Sequence, residues 1–453
     1  MLLRQLHLGS TRFASCAIAA CLLLVSTVLS GCSSGSTATT RTLQIWYSTD
    51  DPVERVWSQQ LARRYEHLHP DVRVNLKDYS FEDLNTKLQL ALSAGDPPDL
   101  AYVTPRGPGI PAYIAAHRLR DLSQAARANG WARKLRPGLL DAYNQPFQYF
   151  GAVPHSIVAV PTSLAAVGIL YNQRLLHRLH LTVPRTLQGF EADLARAKSA
   201  GYTALGMGNA DGWLGDDWYL TLVNATVPSS TLAPEQQLSN SFSFQRPPFV
   251  AAASTLQRWS NRGYFTQDFG GVDAQEGIDL FFRGRTLFQL ISSSENSQIA
   301  QDQRQTKLPI GVFSFPRARG GGVMPLSGYL GWVVPAAAQH PTEAVSFIDT
   351  LLSPQTPSIL ERNGVLSAHA PHGSGTQARP GWQRQYQMAL NTAQPGTYLD
   401  AAPIANLNAT MEANVQLLLQ GYEAPTFLVR SLQEIYASRG KHGGSTARID
   451  GEF

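Results

Sequence analysis

From residue 42 onward the apolar positions of this chain alternate between two rhythms. Thr42-Leu-Gln-Ile-Trp-Tyr47 is a β-branched and aromatic run that predicts a strand, and it ends in Ser48-Thr-Asp-Asp-Pro52, a polar turn with helix-starting residues. Val56, Trp57, Leu61, Tyr65 and Leu68 then keep helical spacing until Pro70, after which Val72, Val74 and Leu76 alternate as a strand does. Ser80 and Asp83 have capping-box spacing, Phe81, Leu84, Leu88 and Leu92 form a helix stripe, and Gly95 ends it before a third strand, Asp99–Val103. Strands alternating with helices at this spacing predict a parallel, doubly wound α/β sheet. The same rhythm returns with a strand at Val167–Tyr171, a helix from Pro184 and Thr186 through Ala200, and a strand at Ala204–Met207. Further strands are expected at Thr286–Ser292 and Leu330–Pro335, and helices at 341–352 and 409–438. Gly320–Gly322 and 370–380 read as loops, and Lys441–Phe453 as a frayed tail.

Ahead of this pattern stand Arg4 and Arg12, then a charge-free segment from Phe13 that ends in Leu29-Ser30-Gly31-Cys32. A charged start, an apolar middle and small residues before a cut describe an export signal. Leu-Ser-Gly-Cys resembles the lipobox of bacterial lipoproteins, in which the cysteine thiol receives a diacylglycerol and everything upstream is removed. The resemblance implies Cys32 as the lipidated mature N-terminus. An uncleaved anchor helix is the plainer reading, because an uncharged run of about 19 residues just spans a bilayer. It does not account for the four-residue ending or for the Ser/Thr-rich tract Ser33–Thr40, which reads as a flexible tether.

Loss of residues 1–31 leaves roughly 420 residues, enough for two or three domains with ample core. The formal charge of +4 falls to +2 without Arg4 and Arg12, and the remaining Lys and Arg are scattered, which argues against a nucleic-acid partner. Cys16 and Cys21 lie inside the signal, so the mature chain is expected to keep Cys32 alone, with no disulfide, thiolate metal site or cysteine nucleophile.

Along the chain come Ala91-Leu-Ser-Ala-Gly-Asp-Pro-Pro-Asp-Leu100, Val160-Pro-Thr-Ser with Ile169-Leu-Tyr-Asn172, and Phe281-Phe-Arg-Gly-Arg-Thr-Leu287. Ser327-Gly-Tyr-Leu-Gly-Trp-Val-Val-Pro335, Ala344-Val-Ser-Phe-Ile-Asp349, Leu352-Ser-Pro354 and Asn363-Gly-Val-Leu366 follow. In order and spacing these segments together resemble the extracellular solute-binding proteins of ABC importers, in the family of maltose- and glycerol-phosphate-type binders. The resemblance implies an α/β, two-lobed periplasmic-binding-protein-like fold with three interlobe crossovers, a helical C-terminal segment and solute in the cleft. Its expected organisation is a signal at 1–31, a tether at 32–41, and a tail at 441–453. Lobe one would take 42–161 plus 290–330, and lobe two 166–288 plus 333–440. The crossovers would fall near Val160–Ala166, Gln289–Ser293 and Ser327–Trp332.

A sugar presents hydroxyls and C–H faces, so its site needs bidentate polar groups and an aromatic platform. After the first strand the chain offers Tyr47, Ser48 and Asp50, the last of which also suits a helix N-cap; the third strand leads into Tyr102 and Thr104. Asn209-Ala-Asp211-Gly-Trp213 and Asp216-Asp-Trp218 gather acids, an amide and two indoles beyond a strand end, in a stretch that reads as a loop. Trp57 and Trp332 sit in apolar periodic runs and belong to the core. Thr162, Ser163, Ser292, Ser293, Glu295, Gly328 and Tyr329 lie on the crossovers and face the cleft by implication. Where relatives often carry Gly-x-Trp and a late stacking aromatic, this chain has Ile291-Ser-Ser-Ser294 and Asn406-Leu-Asn408, which reduces the platform for a long glucan.

Catalytic signatures are missing: there is no Gly-x-Ser-x-Gly, His-Glu-x-x-His, phosphate loop or Gly-x-Gly-x-x-Gly. His177 with His180, and His369 with His372, lack an acid or cysteine nearby and read as surface or loop histidines rather than metal ligands. The expected protein is a monomeric, lipid-anchored receptor on the extracytoplasmic face of the membrane that needs no cofactor. It would deliver a sugar or related carbohydrate to ABC permease subunits. Two other readings stand beside it: a phosphorylated or anionic solute held by Arg106, Arg317 or Arg319, and a carbohydrate hydrolase in which Asp216, Asp217 and Glu295 meet.

Overall fold

The computed structural model describes residues 40–48, 52–103, 110–144, 147, 152–227, 232, 241–327, 330–370, 381–397, 404 and 406–438. Cys32, the signal and the tail therefore lie outside the described residues. The strands are β1 (Arg41–Ser48), β2 (Val72–Tyr79), β3 (Leu100–Val103), β4 (Val160–Pro161), β5 (Ala165–Asn172) and β6 (Thr203–Gly206). They continue as β7 (Thr286–Ser292), β8 (Ile310–Phe313), β9 (Phe315–Pro316), β10 (Gly322–Ser327), β11 (Gly331–Val333) and β12 (Gln394–Thr397).

Two sheets result. One has five strands in the order β2-β1-β3-β11-β4; the other has seven, with β12-β10-β5-β7-β6 in line, β8 on β5 and β9 on β10. In the first sheet the alternation read from the sequence works as expected. Leu43, Ile45 and Tyr47 send one face of β1 into the core, β1 pairs β2 in parallel from Arg41↔Val72 to Ser48↔Tyr79, and it pairs β3 in parallel as well. The Phe81–Ala94 helix begins where Ser80 accepts the Asp83 N–H (3.2 Å) and ends at Gly95, whose φ of 80° only glycine adopts cheaply. Trp57 and Trp332 are buried, as their periodic settings predict.

The parallel expectation fails beyond that unit. In the first sheet β11 is antiparallel to both its neighbours, β3 and β4, and in the second β5 is antiparallel to β7, β8 and β10, while β6–β7 and β10–β12 are parallel. The reason is topological: a strand that returns from the other sheet enters at the crossover end and must run against its neighbours. β4 passes into β5 through 162–164, and β10 into β11 through 328–330. The crossing expected at 289–293 adds no strand to the first sheet, because β8, β9 and β10 all join the second. Residues 310–327 thus go with the second sheet. Residues 331–370 go with the first, where Phe347 meets Tyr65 (5.1 Å) and Trp332 (5.9 Å). The Gly381–Thr392 helix and β12 pack with the second sheet. Sheet membership therefore moves the expected lobe boundaries. The segment 409–438, read as helical, is helical, as Leu407–Leu419 and Pro425–Ser438 with Gly421 (φ 79°) between them.

Candidate functional site

Both sheets aim strand ends at the crossover. Ser293, just past β7, accepts from the Ala166 N–H (3.1 Å) and donates to the Leu164 carbonyl (2.8 Å), and the Tyr386 hydroxyl donates to the Ala166 carbonyl. β6 runs parallel to β7, so the loop after β6 opens at this same end. In the first sheet the end of β3 lies beside the crossover too, with Val103 opposite Gly331 and Gly331 opposite Pro161. Ligands of open α/β sheets sit beyond such carboxyl ends. Asp50, Thr104, Gly328 and Tyr329 lie outside the described residues, and so does the Ser48 side chain.

The loop after β6 is clamped by backbone contacts. Asn209 N–H donates to the Phe269 carbonyl (2.8 Å), and Ala210 N–H to that of Val272 (2.9 Å). A Cβ on Gly208 would lie 1.8 Å from the Asp273 carbonyl oxygen, so only glycine fits there. The Asn209 side chain is buried and accepts the Gly215 N–H (2.6 Å), fixing the start of the Trp213–Thr226 helix. Gln416, on the Leu407–Leu419 helix, donates to the carbonyls of Asn209 (2.8 Å) and Ala210 (3.3 Å).

That clamp leaves a polar face with one indole. Asp211 is exposed; its Oδ2 accepts from Trp213 Nε1 (3.0 Å) and from the Ala274 N–H (3.4 Å). Trp213 is half-buried, one side against the core of the second sheet. Across from it, Asn408 Nδ2 donates to Glu412 Oε1 (3.0 Å). Burial raises the Glu412 carboxyl above its ordinary range, the Asn408 bond opposes that, and the Asp211 charge adds a further rise. Asp211, Trp213, Asn408, Glu412 and Gln416 so combine carboxylate acceptors, amide donors and one indole ring, the chemistry that binds a polyhydroxylated solute. Glu412 and Gln416 escape sequence reading. Their only signal is the four-residue spacing of Asn408, Glu412 and Gln416 on one helix, the mark of an ordinary solvated stripe.

The other expected contact residues are mostly structural. Of the stretch read as a loop, Asn209–Gly212 is one, but Trp213 to Trp218 open the Trp213–Thr226 helix, buried from Leu214 through Ala225, and Trp218 is 0 % exposed among Phe190, Trp259, Phe265 and Phe315. Tyr47 faces the core of the first sheet. Tyr102 stacks on Trp332 (4.4 Å) and shares a 2.6 Å hydrogen bond with Ser163, while Thr162 accepts from Trp332 Nε1 (3.0 Å). Ser292 and Glu295 form a capping box, with the Ser292 N–H on Glu295 Oε2 (2.6 Å). In the structure these side chains are engaged with neighbouring residues at or near the crossover.

Asp216 and Asp217 are buried in the same helix, so neither stands free beside a sugar as an acid–base pair requires. Burial raises the Tyr386 hydroxyl well above its ordinary value, Glu295 and Asp217 add to the rise, and Ser293 opposes it. Arg317 is engaged with Gln394, Arg319 is exposed, and Arg106 lies outside the described residues. His369 is buried, sharing a 2.7 Å hydrogen bond with Ser367, and His372 is not described. Among the described residues no cluster of three or more metal-ligating side chains occurs.

A family model for bacterial extracellular solute-binding proteins matches residues 50–356. An uncharacterized ABC transporter extracellular-binding protein of Pyrococcus horikoshii is 23% identical over 350 residues, 71% of this chain and 74% of that one. The melibiose/raffinose/stachyose-binding protein MelE of Bacillus subtilis is 23% identical over 309 residues, 66% of this chain and 68% of its own length. In fold, the chain superposes on a chitin oligosaccharide binding protein with a TM-score of 0.72 at 19% identity, covering 89% of this chain and 99% of that one. Since the family match spans more than half of the sequence and the two-sheet architecture accompanies it, the chain belongs to the bacterial extracellular solute-binding proteins.

Proposed function

We propose that this chain is a receptor that captures a carbohydrate outside the cytoplasm and hands it to the membrane subunits of an ABC importer, making and breaking no covalent bond. The observation that carries this reading is the Asp211, Trp213, Asn408, Glu412 and Gln416 face at the crossover end of the second sheet. One ring and several bidentate groups suit a sugar of one or a few units. MelE, whose name records melibiose, raffinose and stachyose, is in keeping with that size. Solute bridging the two sheets' strand ends would favour a closed arrangement over an open one by its differential contacts.

A thermal-shift screen over sugars, sugar phosphates, polyols, amino acids and peptides identifies the solute, because a ligand at a hundredfold excess over its dissociation constant stabilises the native state by about 2.7 kcal/mol. Trp213→Ala is then expected to weaken that solute by at least about tenfold in calorimetric titration, since a stacking aromatic at a hot spot contributes ~2 kcal/mol or more. Affinity equal to wild type would place the site elsewhere, and a hit confined to amino acids or peptides would end the carbohydrate reading.

Membrane attachment through Cys32 completes the proposal. The sequence Leu29-Ser30-Gly31-Cys32 supports it. Cells producing Cys32→Ala and fed a labelled fatty acid should show no labelled receptor; persistent labelling would refute lipidation at this residue.

A further inference from the structure

A second, unrelated feature lies at the opposite pole of the second sheet. β5 starts at the crossover and runs eight residues away from it, about 25 Å, before the Gln173–Arg178 helix begins. Beside that helix is a wide-mouthed depression of about 630 Å³ lined by Gln173, Arg174, His177, Arg178, His180 and Pro309. Four of the six are basic side chains and none is acidic, in a chain whose 33 Asp and Glu nearly match its 37 Lys and Arg.

The helix explains the gathering only in part. Leu175 and Leu179 are buried, which turns Arg174, His177 and Arg178 outward, and His180 is held at a φ of 53° in the turn that follows. An ordinary solvated face would intersperse carboxylates, because two like charges four residues apart on a helix repel. Here no ion pair among the described residues includes Arg174 or Arg178. Each guanidinium is instead steadied by a neutral acceptor: Arg178 Nη1 on the Tyr202 hydroxyl (3.1 Å) and Arg174 Nη2 on the Lys307 carbonyl (3.5 Å). Five N–H donors per guanidinium leave most of them free for a ligand. Paired arginines suit tetrahedral oxyanions, which they hold through charge-assisted forks. A metal cation at His177 and His180 would meet the field of both arginines.

We propose that this depression binds a phosphate-bearing anion, independently of the solute face at the crossover. The group is either a free phosphate or phosphorylated solute, or the headgroup of an anionic phospholipid at the membrane surface. The full chain and its Arg174→Gln/Arg178→Gln variant, which keeps helix-forming side chains, are titrated with inorganic phosphate at low ionic strength. Both are also co-sedimented with vesicles of phosphatidylglycerol plus phosphatidylcholine and of phosphatidylcholine alone. Binding is expected to fall by about tenfold or more in the variant, with its thermal midpoint unchanged, because two charge-assisted contacts are lost. Loss seen with inorganic phosphate assigns the site to free anions; loss seen only with phosphatidylglycerol vesicles assigns it to the lipid surface. Equal behaviour of wild type and variant in both assays overturns the proposal.

Discussion

Trp218→Ala should lower the unfolding free energy by about 3–5 kcal/mol, the range for deleting a large buried aromatic, while leaving solute affinity of the folded fraction unchanged. Its indole is fully enclosed, with ring centroids of Trp259 at 5.9 Å, Phe265 and Phe315 at 6.1 Å and Phe190 at 6.4 Å. These rings join the Trp213–Thr226 helix to four other segments, so the cavity left by truncation cannot close by moving one element. Trp218→Phe should be far milder. It keeps the aromatic packing and removes an Nε1–H that has no partner among the described residues. Denaturant titration of the three proteins, followed by calorimetry under native conditions, measures both effects. If Trp218→Ala kept its stability and lost its ligand, the indole would belong to the binding surface after all.

The contrast between Trp213 and Trp218 shows where the sequence is readable. β1 and β2 stand out because one face of each meets a core and the other is more exposed, so buried and less buried positions alternate, while β3 is a short apolar run buried on both faces and bounded by polar residues. The Trp213–Thr226 helix has no such contrast. It is enclosed by β9, β10 and β12 on one side and by the Pro247–Asn261 and Leu407–Leu419 helices on the other, and a helix buried all round carries no stripe. With Gly215, Asp216 and Asp217 near its start, it reads as a loop rich in binding residues. Asp211 and Trp213, just outside the enclosure, keep the exposure that a contact role needs. Their partners on the Leu407–Leu419 helix are illegible for a different reason: 207 residues separate Gln416 from Asn209, and nothing local announces a contact made by tertiary packing. The mixed strand directions were hidden likewise, since local alternation of strands and helices does not record which pole of a sheet the chain re-enters.

Gly208→Ala is expected to impair stability and binding together, although residue 208 offers no side chain to a solute. The added methyl would stand 1.8 Å from the carbonyl oxygen and 2.5 Å from the carbonyl carbon of Asp273, and backbone atoms cannot swing aside as a side-chain tip can. Asp273 is itself fixed as the N-cap of the Ala274–Leu280 helix, its carboxylate accepting the Glu276 N–H (2.8 Å). That helix approaches the loop through a second glycine: a Cβ on Gly277 would lie 2.5 Å from the Gly208 nitrogen. Relief therefore requires the whole loop to lift away. The lift would strain or break the bonds from Asn209 to Phe269, from Ala210 to Val272 and from Ala274 to Asp211. Overpacking of about 1–3 kcal/mol plus about 1 kcal/mol for each lost hydrogen bond gives a destabilisation of roughly 2–6 kcal/mol. Asp211 and Trp213 move with the loop, so solute affinity should fall by about tenfold or more even in the folded fraction. Gly271→Ala is the matched control, because a Cβ there meets nothing within 4 Å. Denaturant midpoints and calorimetric titration of the two variants decide the matter. If Gly208→Ala proved as mild as Gly271→Ala, the loop would be free to shift, and the close backbone contact would not be what holds Asp211 and Trp213 at the crossover.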